Sequence, residues 1–282
     1  MFDKMLTKLI IKLSSIDCSK KNPIDYEILL RSPGQSIDDE ISKIMDTIVF
    51  KLLFMSFIIF SIIVLIAIFH FSFYYELIII SLYFIYLIIL IKNNIKTIRN
   101  FKLGRDGEKA LAQYLYVVAR QLSKEDANMH IYHDLINKRK KFNIDHVVVS
   151  KKGIFIFETK TYRKGTKKNT IKSDGKDLFK NGYKMENNIP LQIKGQVKWL
   201  QSELKQITGS DYDIIPVIAF IGWHVEGDEI DNIKITNAKN LKYILENKYS
   251  KHRYDDKELK IITSAVHKLA TVKEENVNDI CK

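Results

Sequence analysis

From Leu52 to Phe73 the chain is apolar, interrupted only by Ser56, Ser61, His70 and Ser72. At about 1.5 Å per helical residue this run spans the roughly 30 Å hydrocarbon core of a bilayer. Tyr74, Tyr75 and Glu76 separate it from a second apolar run, Leu77 to Ile91. That run reaches only about 22 Å, so it must recruit Phe73 to Tyr75 or thin the bilayer locally. Buried helices of a soluble protein are the competing reading, but those carry a polar stripe and neither run does. The pattern predicts a helical hairpin in the membrane. Lys92, Lys96, Arg99, Lys102 and Arg105 follow the second run, and Lys43 and Lys51 precede the first. Positive flanks stay inside, which predicts a two-span protein of the cell membrane with both termini cytoplasmic. Neither run carries Asp, Glu, Lys or Arg at mid-depth, which argues against a transporter or channel.

The hairpin divides the chain. Residues 1–47 form an N-terminal cytoplasmic segment with no assignable role, with a short helix expected from Lys8 to Leu13 and irregular chain at Ser32-Pro33-Gly34-Gln35. The N-terminal residues lack the pattern of a signal peptide. The spans occupy 48–92, an α/β domain occupies 100–225, and 226–282 read as a C-terminal helical extension with a frayed end. Cys18 and Cys281 lie at opposite ends, with no zinc spacing and no disulfide framework. His130 and His133 read as packing or surface residues rather than zinc ligands.

Gly107 to Leu122 has helical periodicity, with Leu111, Ala112, Leu115, Val118 and Leu122 on one stripe. Glu108 lies on that stripe and points toward the core, where it either complements the helix dipole or serves a site. Strands are expected over His130–Ile136, Phe142–Ser150 and Ile154–Thr161, the last two joined by a turn at Ser150–Gly153. A hairpin follows over Thr170–Phe179, then an amphipathic helix from Pro190 to Ile207 with Ile193, Val197, Leu200 and Leu204 inward. Ile214–Ile221 reads as a buried strand, and residues 238–247 and 256–270 as closing helices.

Two acids interrupt this core. Asp145 lies among Ile144, Val147, Val148 and Val149, and Glu158-Thr159-Lys160 ends the run Ile154-Phe155-Ile156-Phe157. Ionisable groups at the end of a central strand are costly unless they face a cleft, a metal or each other. In open α/β sheets that end is where ligands lie. Converging carboxylates beside a lysine suit Mg²⁺ (or Mn²⁺), which takes one or two carboxylates plus phosphate oxygens. A buried acid–lysine ion pair is the alternative.

The net charge is +12, and residues 138–184 alone hold fifteen Lys/Arg against four acids. The excess therefore surrounds the acid-x-lysine strand and predicts a phosphate-binding rim formed by Lys138, Arg139, Lys140, Lys141, Arg163, Lys164, Lys167 and Lys168.

The series Gly104-Arg-Asp-Gly107-Glu108, Asn143-Ile-Asp145-His146, Gly153-Ile-Phe-Ile-Phe-Glu158-Thr-Lys160 and Asn188-Ile-Pro190-Leu-Gln192 resembles the nuclease-related domain family. That family belongs to the restriction-endonuclease-like folds bearing a PD-(D/E)xK site. The ordered set over Gly104 to Ile221, rather than E-x-K alone, carries the resemblance. Ile144 stands where the superfamily name has proline, as is common in the nuclease-related family. The resemblance implies an α/β fold with a mixed central sheet flanked by helices, and metal-dependent cleavage of nucleic acid, DNA ahead of RNA. It further implies that Asp145, Glu158 and the Thr159 carbonyl hold the metal. Lys160 would assist the attacking water, and Glu108 would be an auxiliary acid. Gln192 would contact metal-bound water or substrate; otherwise it is an exposed amide beside Gln196. The expectation is a membrane-anchored nuclease, with a catalytically silent nucleic-acid-binding module as the alternative. The two spans leave room for a homo-oligomer.

Overall fold

The structure is a computed structural model that describes residues 30–69, 73–122, 129–137, 142–166, 169–185, 188–227, 229–246 and 253–271. The helix expected at Lys8–Leu13, both cysteines, the polar C-terminal end, and Lys138, Arg139, Lys140, Lys141, Lys167 and Lys168 lie outside the described residues.

Two long helices open it, α1 (Gln35–Ile68) and α2 (Phe73–Leu122). They run antiparallel, because Ser56 Oγ meets Tyr83 OH at 2.6 Å while Asp38 pairs with Arg105 and Lys109. Each is long and apolar enough to cross a membrane, and none of its most apolar stretch is buried within the protein. Leu53, Phe57 and Phe60 of α1 are each about two-thirds exposed, at 67, 69 and 66 %. A soluble core pair would cover them.

One difference from the sequence reading is substantial. The helix expected from Gly107 does not start there; α2 runs unbroken from the second apolar run through Lys92–Asp106 into Leu122. The intervening residues carry no proline, and Ile95, Ile98 and Phe101 continue the helical spacing from Ile91. Contacts with α1, among them Asp38 with Arg105 and Lys109, add to that local pattern.

Strands β1 (His130–Asn137), β2 (Phe142–Ser150) and β3 (Gly153–Lys160) follow as an antiparallel meander. Then come β4 (Thr170–Ser173), β5 (Leu178–Lys180), β6 (Tyr183–Lys184) and helix α3 (Asn188–Thr208). Next are β7 (Ile214–Phe220), β8 (His224–Glu226), β9 (Glu229–Ile230) and β10 (Ile233–Thr236). A short 3₁₀ turn, α4 (Leu241–Glu246) and α5 (Asp256–Ala270) close the chain. Residues 226–246 therefore supply two strands ahead of their helices, which were too short to show as alternation in the sequence.

The main sheet has the order β1-β2-β3-β7-β10-β9, with β3, β7 and β10 parallel and the outer pairs antiparallel. Alternation along β3 sends Ile154 and Ile156 to one face and Phe155 and Phe157 to the other. The first face packs on α3 and α5 through Ile193, Leu200, Leu204, Ile262 and Val266. The second packs on α2 and α4 through Leu111, Leu115, Leu241 and Leu245. The result is a mixed α/β sandwich whose central strand is β3. A second sheet, β6-β5-β4-β8, stands where β3 and β7 end, because β4 and β8 are the next strands after each.

Candidate active site

The rungs of the meander set the acids side by side. His133 pairs with His146, and His146 with Phe157. One step further along each ladder stand Asp134, Asp145 and Glu158, an acid on each of three neighbouring strands. Asp145 and Glu158 are buried, at 6 and 2 % exposure. Asp145 Oδ2 accepts the Thr159 amide at 2.7 Å, which fixes that carboxylate to β3.

Glu158 is held at both oxygens. Lys160 Nζ donates to Oε1 at 2.5 Å and Gln196 Nε2 donates to Oε2 at 2.7 Å. Gln196 also donates to the Asn143 carbonyl at 2.9 Å. Lys160 reaches Gln192 Oε1 at a longer 3.3 Å. The sequence reading paired Gln192 with Gln196 as exposed amides, and for Gln196 that is corrected: it is 1 % exposed and bonded to the acid. It lies three residues after Ile193 and four before Leu200, on the apolar stripe of α3, which is why it points inward.

Glu108 enters from α2 on the stripe expected of it and is buried at 5 % exposure. It comes close because Gly107 has no side chain. A Cβ built there would lie 1.8 Å from Thr161 Oγ1. Burial, then the charges of Asp134 and Glu158, push the Glu108 carboxyl up to about 8, although the Gly34 amide pulls the other way. Burial raises Asp145 well above its ordinary value, reinforced by Glu158 and Glu108. For Lys160, burial works against its charge, but the Glu158 carboxylate and its hydrogen bond outweigh that and raise it, so the ammonium persists at neutral pH.

Asp134 was not singled out in the sequence, and the structure gives it a different task from its neighbours. Its φ of 51° turns it out of the ladder. Its carboxylate accepts from Arg31 Nε at 2.8 Å, Ser36 N at 2.9 Å, Ser36 Oγ at 2.6 Å and Asn143 Nδ2 at 2.8 Å. The first turn of α1 is thereby docked beside the site. Arg31 also donates its amide to Ala270 O at 3.1 Å. The segment before the first apolar run, which the sequence left without a role, thus ties α1 to both ends of the α/β domain.

The described basic residues near β3 fall at its two ends. Lys151 and Lys152 sit at the far end of β3, where they bind Asp256 at 2.8 Å and the Glu246 carbonyl at 2.9 Å. Arg163 and Lys164 are exposed in the loop that leaves Lys160. His133 and His146 are buried and hydrogen bonded Nδ1 to Nδ1 at 2.7 Å, with Tyr116 OH on His133 Nε2 at 2.9 Å, so they pack the sheet.

Among the described residues, no group of three or more His, Cys, Asp or Glu side chains stands in an arrangement that would hold a metal by itself. A hard cation that keeps its waters needs only one or two carboxylates. Asp145 and Glu158 meet that need, and Glu108 Oε2 is buried without a hydrogen-bond partner. An all-oxygen set of mutually repelling acids fits such an ion.

Residues 103–221 match the family model of the nuclease-related domain, whose general placement is the PD-(D/E)xK superfamily. That span runs from the C-terminal part of α2 through β7 and contains Glu108, Asp145, Glu158, Lys160, Gln192 and Gln196. Searches of curated proteins and of solved structures return no match.

Proposed function

We propose, taking the nuclease-related domain at residues 103–221 as the premise, that the chain hydrolyses phosphodiester bonds of nucleic acid in a metal-dependent reaction. The observation that carries this is the clamp on Glu158: an acid buried at 2 % exposure, beside Asp145, held by Lys160 and Gln196 at the end of the central strand. A merely structural ion pair would be weakly motivated, since buried pairs add little stability over apolar packing.

Asp145 and Glu158, with the Thr159 carbonyl, would hold Mg²⁺ or Mn²⁺. When bound, the ion would lower the pKa of a water and offset charge on the phosphodiester. Lys160, charged at neutral pH, stabilises the anionic transition state and orients the attacking water. Water oxygen bonds to phosphorus as the bond to the leaving sugar oxygen breaks, giving a phosphomonoester and a hydroxyl. Glu108, with a carboxyl near neutrality, is suited to pass a proton. Gln192 steadies Lys160, and Arg163 and Lys164, with Lys138, Arg139, Lys140, Lys141, Lys167 and Lys168, meet phosphates. DNA stands ahead of RNA as substrate.

We infer further that α1 and α2 cross the cell membrane as a hairpin with the domain on the cytoplasmic side. Their outward apolar faces support this, as does the excess of Lys and Arg on the domain side. Protease applied to intact cells should spare tags at both termini; loss of either tag overturns the orientation.

The activity test uses the full chain in detergent with plasmid, linear DNA and RNA, with and without Mg²⁺. Metal-dependent cleavage that disappears in Glu158→Gln and Lys160→Met supports the reading. Equal cleavage by the double variant overturns it. Salt-sensitive binding without turnover in the wild type would favour the silent module.

A further inference from the structure

The second sheet carries a hairpin that the catalytic reading does not use. Strands β5 and β6 pair Phe179 with Lys184 and Lys180 with Tyr183. Their loop is Asn181-Gly182, with φ of 52° and 87°, the positive values that a two-residue primed turn requires. Asn181 is tied to Thr170 twice, donating its amide to the Thr170 carbonyl at 2.9 Å and accepting the Thr170 amide on Oδ1 at 2.9 Å. The tip is therefore rigid.

At that rigid tip Tyr183 is 81 % exposed. A large ring held in water on a fixed backbone loses little freedom when something stacks on it. Its cross-strand neighbour Lys180 shares its face. Lys180 Nζ lies 4.7 Å from the centroid of the Tyr162 ring, two residues beyond Lys160. Tyr162 is itself fixed, with Trp223 Nε1 donating to its carbonyl at 3.1 Å and its ring stacked on Phe220. One contact series thus links Lys160 to the hairpin face. Arg163 and Lys164 are exposed in the loop between this sheet and the site.

An exposed ring among cations suits a polymer that has both phosphates and free base faces. We propose that the β5–β6 hairpin is a stacking finger, in which Tyr183 receives an unpaired base of a nucleic-acid strand whose backbone runs toward Lys160. This rests on the nuclease reading and narrows its substrate class to strands with unpaired bases, of DNA or RNA. Duplex bases, already stacked, offer the ring no face except at ends or flipped positions.

The test measures binding by the full chain in detergent and EDTA, so that nothing is cleaved. The probes are a labelled DNA single strand, the same sequence as RNA, its DNA duplex, and an abasic strand of equal length. Tyr183→Ala is expected to weaken single-strand binding by about tenfold, with Tyr183→Phe close to wild type, because stacking needs the ring and not the hydroxyl. The abasic strand should not distinguish Tyr183→Ala from wild type. The tighter of the DNA and RNA arms identifies the source. Wild-type affinity of Tyr183→Ala for both single strands overturns the finger and leaves the nuclease reading standing. Failure of the wild type to bind any probe overturns the nuclease reading beneath it.

Discussion

Gln196 on α3 reaches Glu158 on β3 with a 2.7 Å hydrogen bond, and the same nitrogen holds the Asn143 carbonyl of β2 at 2.9 Å. A single amide therefore ties the Glu158 carboxylate to β2, across two strands whose spacing is set by their own ladder. Its partner Lys160 holds the other oxygen of the acid, so the carboxylate has no rotational freedom left.

Gln196→Ala should reduce kcat/KM by roughly 10- to 150-fold, the equivalent of about 1.5–3 kcal/mol for a hydrogen bond to a charged group. Gln192→Ala should be milder, since that amide is exposed and 3.3 Å from Lys160. Steady-state cleavage of one oligonucleotide by both variants checks the order, and a reversed order refutes the clamp.

Glu108 makes stability depend on pH in a stated direction. Its carboxyl is pushed from 4.5 to about 8, so between those values the folded chain keeps a proton that the unfolded chain has released. That contribution is complete below about pH 4.5 and is lost as pH rises through about 8, with about 1.4 kcal/mol per unit as the ceiling. Glu108→Gln should match wild type in Tm near pH 4.5 and exceed it above pH 8, as measured in thermal melts without divalent ions. Parallel Tm profiles would contradict this.

A divalent ion should act on the same repulsion. Mg²⁺ is expected to raise the wild-type Tm at pH 8, and to do so less in Glu158→Gln, because binding to the folded state alone stabilises it. Equal shifts in the two proteins would place the ion elsewhere.

Gly107→Ala should separate α2 from the end of β3. The added Cβ meets Thr161 Oγ1 at 1.8 Å and Thr161 Cβ at 2.9 Å. Overpacking of this kind costs about 1–3 kcal/mol. Adding Thr161→Gly to the variant should restore much of the Tm and activity, and absence of any rescue would show that the contact is not the cause.

Asp134→Ala should leave Arg31 buried, at 12 % side-chain exposure, without its main counter-charge. Breaking such a pair costs about 3–5 kcal/mol. Limited proteolysis near residue 31 should become faster in the variant; unchanged protection would mean that the α1 terminus is held by other contacts.

Much of the site was legible in the sequence because acids break apolar runs visibly. Asp145 and Glu158 stand out against valines and phenylalanines, and Glu108 falls on a stripe of leucines. Asp134 breaks its strand in the same manner, between Tyr132 and Leu135, and the same argument would have found it. Its duty as an anchor was not legible, since that depends on Ser36 and Arg31, about a hundred residues away. Gln196 was missed because an amide on an apolar stripe looks like an imperfection until its acid partner is in place. The joining of the second apolar run to the Glu108 helix was hidden by the largely polar residues 92–106, among which Ile95, Ile98 and Phe101 are the spaced apolar positions that continue the helix. Strands of two to four residues, such as β9 and β10, are too short for period-two patterning to register.

The fifty residues of α2 make a rod of about 75 Å, free of proline, with an apolar third at one end and Glu108 beyond its middle. Between the apolar end and the acid the helix is unbroken, with Gly104 and Gly107 its only glycines there. α1 braces the rod along its length and through Asp38. One continuous helix thus carries both the outward apolar stretch and the acid that enters the site.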